Sequence, residues 1–420
     1  MNSKILWQLQ LSNYTKEGKF VLSADSNWQI FITKALELIK IDENIKIDVL
    51  LPELEDCLES PIKALYDLGI SLKNVHPIFI PIQANALATR YDFPWKVILE
   101  KIKSEIDSYT HVYINDPLLL PHYKALFYIN TKNKPKWVLQ THFLDSPMAR
   151  VVDDEISYWH GTIEACTKAD VFLWHCKTMQ NIFKEALLKE HNNNFVDSLM
   201  KKSDVWKDGY SISEIRKSVN MDNIRFNLTD KCGTQTIVWV PNRVGGLGKS
   251  FDYTNNGKFL FEIIPELWKK RQDFVVLAGN PNQKISNDEI EKNCPAYVKL
   301  VDGPLNRDEY RYLSQCADIV VGLYTNDTNG GLASLEAIEF GAVPFFPDVF
   351  EYKVYFDEVD WPSNLRINPT LENAHTTLDN LLNSMYSDEI NVKMDSMMSF
   401  IRKYSSYEST TQEMFNKLGF

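Results

Sequence analysis

Short apolar runs alternate with stretches of helical spacing along most of this chain. Ile5–Leu9 is apolar, apolar residues then recur at 28, 31, 32, 35, 36 and 39, and Ile45–Leu50 is apolar again. The first and third patterns predict buried strands and the second an amphipathic helix, which together make a β-α-β unit. The alternation continues with strands expected at Val75–Ile82, His111–Ile114, Trp137–Gln140 and Val171–Trp174, and helices over 97–106, 121–127, 162–167 and 177–189. Strands buried on both faces read as unbroken apolar runs, so this half predicts an α/β fold with a parallel sheet covered on both sides. From His191 to Asp222 the pattern lapses, which reads as a surface excursion before a domain joint. It resumes with strands expected at Thr236–Pro241, Phe274–Ala278, Ala296–Leu300, Ile319–Leu323 and Val343–Phe346, and helices over 259–268, 307–315, 333–340 and 371–385. The tail, 392–418, is helical in pieces. The resulting partition is a first domain over 1–225, a second over 226–391 and a helical tail over 392–420.

Composition narrows the class. A chain of 420 residues exceeds one ordinary core and suits two domains. Its net charge of −11 argues against a broad nucleic-acid footprint while leaving a local basic groove open. Six scattered cysteines without a CxxC pair point to reduced thiols and a cytosolic compartment. The N-terminus lacks the apolar core of a signal peptide, and no window of about 18 apolar residues predicts a membrane span. The expectation is a soluble, cytoplasmic protein. No HExxH, paired-cysteine site or calcium loop occurs, so a metal-independent reaction is expected.

Two stretches carry candidate chemistry. In ADIVVGLYTNDTNGGLASLEAIEFGAVPFFP (317–347), a strand, a glycine-containing loop, a helix and a second strand succeed one another. Gly330 and Gly331 let backbone approach a pyrophosphate, whose charge a helix N-terminus favours. Glu336 lies among Leu335, Ala337 and Ile338, and an acid in so apolar a run needs a partner. Its carboxylate can accept both hydroxyls of a ribose; the alternative is a structural turn between strand and helix. The second stretch, VWVPNRVGGLGKS (238–250), places Arg243 and Lys249 just beyond a strand. A Walker A reading fails because GxxxxGK[ST] needs glycine where Arg243 stands.

These residues resemble the nucleotide-sugar-binding half of the GT-B glycosyltransferases, especially the retaining branch with two spaced glutamates. LEAIEFGAVPFF resembles that family's Leu-Glu-Ala…Gly…Pro run, with Gly331 on its glycine and Glu336 on its second glutamate. The resemblance implies two Rossmann-like domains facing a cleft, with Glu336 holding the donor ribose. Where the first glutamate stands in the family, this chain has Thr328, flanked by Asp327 and Asn329 as substitutes. Arg243 with Lys249, or Lys258 in NNGKFLFEI, is implied to hold the donor diphosphate and neutralise the leaving group. VVLAGNP resembles the family's strand and glycine before its base-binding region, which implies Gly279 beside the nucleotide, and YVKLVDGPLNRDEYRYLSQCADIVV resembles the segment before the two-glutamate region, which implies that residues around Val301 to Leu305 contact the base. QTHFLD resembles a strand end whose histidine, here His142, meets the donor sugar.

The resemblance implies a cytoplasmic enzyme moving a sugar, of hexose type, from a nucleoside-diphosphate donor (UDP-sugar favoured) to an acceptor hydroxyl with retention. The second domain binds donor. The first, through loops 10–26 and 83–96, selects a glycan or small-molecule acceptor, and the tail returns toward it. Two alternatives stay open: a viral-type transferase acting on a modified DNA base, with a cationic groove around Arg90, Lys96 and Lys101, and a non-catalytic scaffold that keeps the fold.

Overall fold

The computed structural model describes residues 3–9, 11, 22, 26–53, 60–81, 93–140, 159–244, 255–281, 287–301, 305–323 and 332–420. The chain forms two compact units, one of Met1–Asp208 with Tyr407–Phe420, the other of Gly209–Ser406.

The first unit holds seven parallel strands, β1 (Lys4–Gln8), β2 (Lys46–Glu53), β3 (Val75–Pro81), β4 (His111–Ile114), β5 (Lys136–Gln140), β6 (Val171–Trp174) and β7 (Ser203–Val205), in the order β3-β2-β1-β4-β5-β6-β7. Successive side chains feed opposite faces, as strand geometry requires. Ile5 and Trp7 of β1 join one core cluster and Leu6 the other, and Val49 and Leu50 of β2 divide the same way. Helices α1 (Ser26–Ile41), α2 (Pro61–Asp67), α3 (Trp95–Ile102), α4 (Leu120–Asn130), α5 (Trp159–Lys168), α6 (Lys177–Glu190) and α7 (Asn193–Met200) complete the crossovers. Trp7 stacks on Tyr113 at 4.0 Å between ring centroids and donates its indole N–H to Asn115 Oδ1 at 2.7 Å.

The second unit begins with two short helices, α8 (Ile212–Ile215) and α9 (Leu228–Cys232). Its parallel sheet has β8 (Thr236–Val244), β9 (Phe274–Pro281), β10 (Ile319–Val321) and β11 (Val343–Phe345) in the order β11-β10-β8-β9. The helix after β8 is α10 (Asn255–Lys258), a π-helical turn (Phe259–Ile263) and α11 (Ile264–Trp268). Pro265 lacks the N–H that a regular α-helical turn there would use. Then come α12 (Asn287–Asn293), α13 (Arg307–Cys316), α14 (Leu332–Ile338), α15 (Phe350–Glu358), α16 (Ala374–Ser384) and α17 (Asp388–Ser405), while α18 (Tyr407–Leu418) lies in the first unit.

Several expectations are revised. The stretch 191–222 is not a bare excursion: α7 buries Val196 and Leu199, and β7 adds an edge strand. The strand expected at Ala296–Leu300 reduces to one bridge, Val276 to Tyr297. The two units part at 208/209 and 406/407. The cause is apolar burial. Tyr210, Ile215, Leu228 and Cys232 join the core of the second unit, as do Met394, Met397 and Ile401 of α17. Only Met414, Leu418 and Phe420 of the tail join a core of the first.

Candidate functional site

In the second unit the strand order reverses direction at β8. The chain passes from β8 to β9 on one side, then crosses to β10 and β11 on the other. Crevices at the C-terminal ends of strands at such a reversal are where open α/β sheets bind ligands. The backbone of Arg243 reaches that edge at the end of β8, paired with Asn280 after a register shift from Val240. Lys258 closes the first helical turn after β8, where the helix passes into its π-turn, and is half-buried.

Gly279 is fixed by steric need. A Cβ there would lie 2.6 Å from Trp239 Cη2 and 3.3 Å from the Pro241 carbonyl oxygen. Gly322, which no sequence motif singles out, is equally constrained: a Cβ would meet Tyr352 Oη at 2.7 Å and Ser334 Oγ at 3.0 Å. Its lack of a side chain lets the start of α14 settle on the end of β10, where Ser334 Oγ donates to the Val321 carbonyl at 3.3 Å.

Glu336 lies on α14 with its side chain 14% exposed, and it is already engaged. Arg307 Nη1 donates to Oε2 and Nη2 to Oε1, both at 3.1 Å, a two-pronged fork. The guanidinium lies 5.6 Å from the Tyr310 ring centroid, and Tyr310 Oη donates to the Ala333 carbonyl at 3.0 Å. Burial of the Arg307 guanidinium opposes its charge, but Glu336 outweighs that and raises its pKa.

Arg307 is held in place from behind. Asn306 and Glu309 form a capping box at the start of α13. Arg225 grips the buried Glu309 through Nε at 2.7 Å and Nη2 at 2.6 Å. That fork, with backbone N–H groups of Asn306 and Arg225, holds the Glu309 carboxyl below the usual range against the opposing effect of burial. One turn beyond Glu336 and just after α14, Glu339 is buried among Tyr210, Arg216 and Arg402. Sequence reasoning missed Arg307, Arg225 and Glu339. The only available signal was a cation at the first position of a helix, where the dipole disfavours positive charge.

Of the residues expected at the site, the structure places Gly279, Lys258, Glu336 and the backbone of Arg243. Lys249, Gly330, Gly331, Thr328, Asp327, Asn329 and His142 lie outside the described residues, as do Arg90 and 302–304. Among the described residues, no group of three or more His, Cys, Asp or Glu is arranged to hold a metal ion. No helix among them is long and apolar enough to cross a membrane.

The first unit has its own polar cluster at the same edge of its sheet. Lys34, fully buried, donates to Asp208 Oδ1 at 2.8 Å and Gln140 Oε1 at 3.1 Å, and faces the Trp206 ring at 4.5 Å. His175 meets the other Asp208 oxygen, and Tyr113 donates to Gln140. Burial lowers the Lys34 pKa despite Asp208.

Comparison with solved structures decides the architecture. HepE from Anabaena, solved with UDP and glucose, superposes with a TM-score of 0.61 at 12% identity over 99% of each chain. The chain has the GT-B fold. A glycosyltransferase from Rickettsia africae matches the same fold with a TM-score of 0.64 at 13% identity, covering 99% of this chain and 98% of that one. A UDP-forming α,α-trehalose-phosphate synthase from Burkholderia xenovorans gives 0.63 at 13% identity over 100% and 99%. No family model and no curated protein sequence matches this chain. Within the GT-B fold, the edge that carries Glu336 and Arg307 belongs to the second Rossmann-like unit.

Proposed function

We propose that the protein is a nucleotide-sugar-dependent glycosyltransferase. It moves a hexose-type sugar from a nucleoside diphosphate, UDP by preference, to a hydroxyl of a glycan or small molecule in the cytoplasm. The observation that carries this reading is the position of Glu336: a largely covered carboxylate on the helix that follows β10, beside the strand-order reversal. Neighbours of the same fold were solved with UDP and glucose or are described as UDP-forming, which supports the donor class.

In this reading Glu336 accepts the ribose hydroxyls. Arg243 and Lys249, with Lys258 as the competing cation, face the diphosphate, and Gly330 and Gly331 admit it to the start of α14. His142 meets the sugar, and Asp327, Thr328 and Asn329 stand where the sugar ring is held. The bond from the anomeric carbon to the phosphate oxygen breaks and a bond to the acceptor oxygen forms on the same face. The acceptor proton passes to the departing phosphate oxygen. Fixed cations favour that step because negative charge builds on the leaving group.

The test is thermal unfolding against a panel of nucleoside-diphosphate sugars, followed by transfer assays with those that bind. A donor present at a hundred times its Kd stabilises the folded chain by about 2.7 kcal/mol. The reading expects a rise in Tm with at least one UDP-sugar and its loss in Glu336→Gln. No shift with any donor at millimolar concentration would overturn it.

A further inference from the structure

Helix α4 fills its share of the first unit's core with Leu120, Tyr123, Leu126 and Phe127. Its last turn then leaves Tyr128 and Ile129 in solvent, 89% and 77% exposed. They are the two most exposed large apolar side chains among the described residues, and they are consecutive. Exposed apolar residues scattered singly need no explanation; here the two extremes are neighbours.

The loop that follows is tied down and basic. Asn133 donates from Nδ2 to the Tyr109 carbonyl at 2.6 Å and from its backbone N–H to Thr131 Oγ1 at 2.9 Å, and Pro135 is buried. Lys132 and Lys134, between these anchors, are exposed and form no ion pair with another described residue. Lys124 Nζ donates to the Lys168 carbonyl at 2.6 Å, and Lys202 Nζ to the Thr167 and Ala169 carbonyls at 2.9 and 3.1 Å. Both ammonium groups therefore gather at the end of α5 with their charge intact. The loops after α4 and α5 lead into β5 and β6, so they lie at the edge of the sheet opposite the Lys34 cluster. The acids there are Asp107, bonded to Thr131, Glu164, paired with Lys168, and Asp170, which accepts from the Trp137 N–H. Lysines are outnumbering them. Part of that excess answers the helix dipoles, whose C-terminal ends favour cations, but the dipoles do not account for Tyr128 and Ile129.

A net charge of −11 repels the chain as a whole from an anionic surface. Charges farther away than about 10 Å are largely screened at about 0.1 M salt, so the facing edge decides. Its cations are lysines, and the described part of the first unit contains no arginine. The planar fork of arginine suits single phosphates and base edges, whereas point charges suit the diffuse field of anionic headgroups. A tyrosine, apolar with a polar tip, suits the depth of the headgroups, and isoleucine the acyl boundary below.

We propose that this edge docks the protein reversibly on an anionic lipid bilayer. Tyr128 and Ile129 enter the interface, and Lys124, Lys132, Lys134, Lys168 and Lys202 lie over the headgroups. The proposal does not depend on the donor reading.

The experiment is co-sedimentation of the full chain with phosphatidylcholine vesicles, with and without about 30% phosphatidylserine, at about 0.1 M and about 0.5 M salt. The variants are Lys132→Ser/Lys134→Ser, Tyr128→Ser/Ile129→Ser and, as a control, Tyr66→Ser, which is 59% exposed on α2. All change exposed side chains only, and Tm reports that each folds. The parent is expected to bind the anionic vesicles at low salt and to leave them at high salt. One lysine near such a surface is worth about fivefold, so the lysine pair should weaken binding about twenty-five-fold. The apolar pair should weaken it about tenfold or more, and Tyr66→Ser should leave it unchanged. No binding to the anionic vesicles, equal binding to phosphatidylcholine alone, or parent-like binding by either double variant would overturn the proposal. A dimer in vesicle-free sedimentation that Tyr128→Ser/Ile129→Ser dissolves would overturn it too, giving the patch to a second copy. Duplex DNA bound through the same lysines in place of vesicles would do the same. Should one double variant fail to fold, the other and the salt dependence of the parent still decide.

Discussion

Glu339 accepts from Arg402 Nε through both carboxylate oxygens, at 2.9 and 2.8 Å, with its own side chain fully buried. Arg216 Nη2 donates to Oε1 at 2.5 Å, and Tyr210 Oη donates to Oε2 at 3.0 Å. The second unit's first and last segments thus meet on one carboxylate at the end of α14. Gly209 packs on the same seam, where a Cβ would lie 1.5 Å from the Ser405 carbonyl oxygen.

This seam predicts strong non-additivity. Both arginines are about half-exposed and Glu339 is not. Arg402→Met alone leaves the carboxylate with Arg216, and each single change should cost about 1–2 kcal/mol. The double change strands a buried charge and should cost about 3–5 kcal/mol, beyond the sum. Adding Glu339→Gln to the double variant should restore part of the loss. Urea unfolding of the four variants checks this; simple additivity would count against it.

Gly279 and Trp239 should also be coupled. Gly279→Ala drives a methyl into the outer ring of the indole, at an expected cost of about 1–3 kcal/mol. Trp239→Phe removes the atoms in conflict. In that background the alanine should cost less than half as much, measured as a double-mutant cycle in thermal unfolding.

The tail carries a pH response. His111 Nε2 contacts the Leu418 carbonyl at 3.1 Å, and its ring meets Phe420 at 4.7 Å between centroids. Burial lowers the His111 pKa below the ordinary 6.5, Lys136 adds to this, and the Leu418 carbonyl works against it. Between the lowered value and 6.5 the unfolded chain holds more protons than the folded one, so folding stability falls as pH drops through that window and is full above it. His111→Asn should flatten the dependence of Tm on pH across the window. An unchanged slope would contradict the assignment.

A second response lies at lower pH. The Glu309 carboxyl is held below the ordinary 4.5, so its contribution is present above 4.5 and is lost as pH falls through the lower folded value. Arg225→Met removes the largest cause of that lowering. The acid-unfolding midpoint should move upward, by an amount that solvent screening limits because Arg225 is half-exposed.

Much of this architecture is legible in the chain. β4 and β6 occupy the residues expected of them, because a strand buried on both faces must be an apolar run. β7 escaped because its three residues are all half-buried and polar enough to read as loop. Helix α15, FEYKVYFDE, escaped because aromatic and charged residues interrupt its stripe although it buries Tyr352, Tyr355 and Phe356. At the site, Glu336 was visible as an acid in an apolar run. Its partner was not, since Arg307 lies 29 residues away and Arg225 lies 84 from Glu309. Such pairs arise from tertiary packing, which brings segments far apart in the chain together and leaves no periodic trace in sequence.

The central claim is that Glu336 binds the donor nucleotide, and the most direct measurement is calorimetric titration of a UDP-sugar into the parent protein and into Glu336→Gln. Saturable binding to the parent, weakened about tenfold to a hundredfold in the variant, is the predicted result. Equal affinity in the two proteins would contradict it.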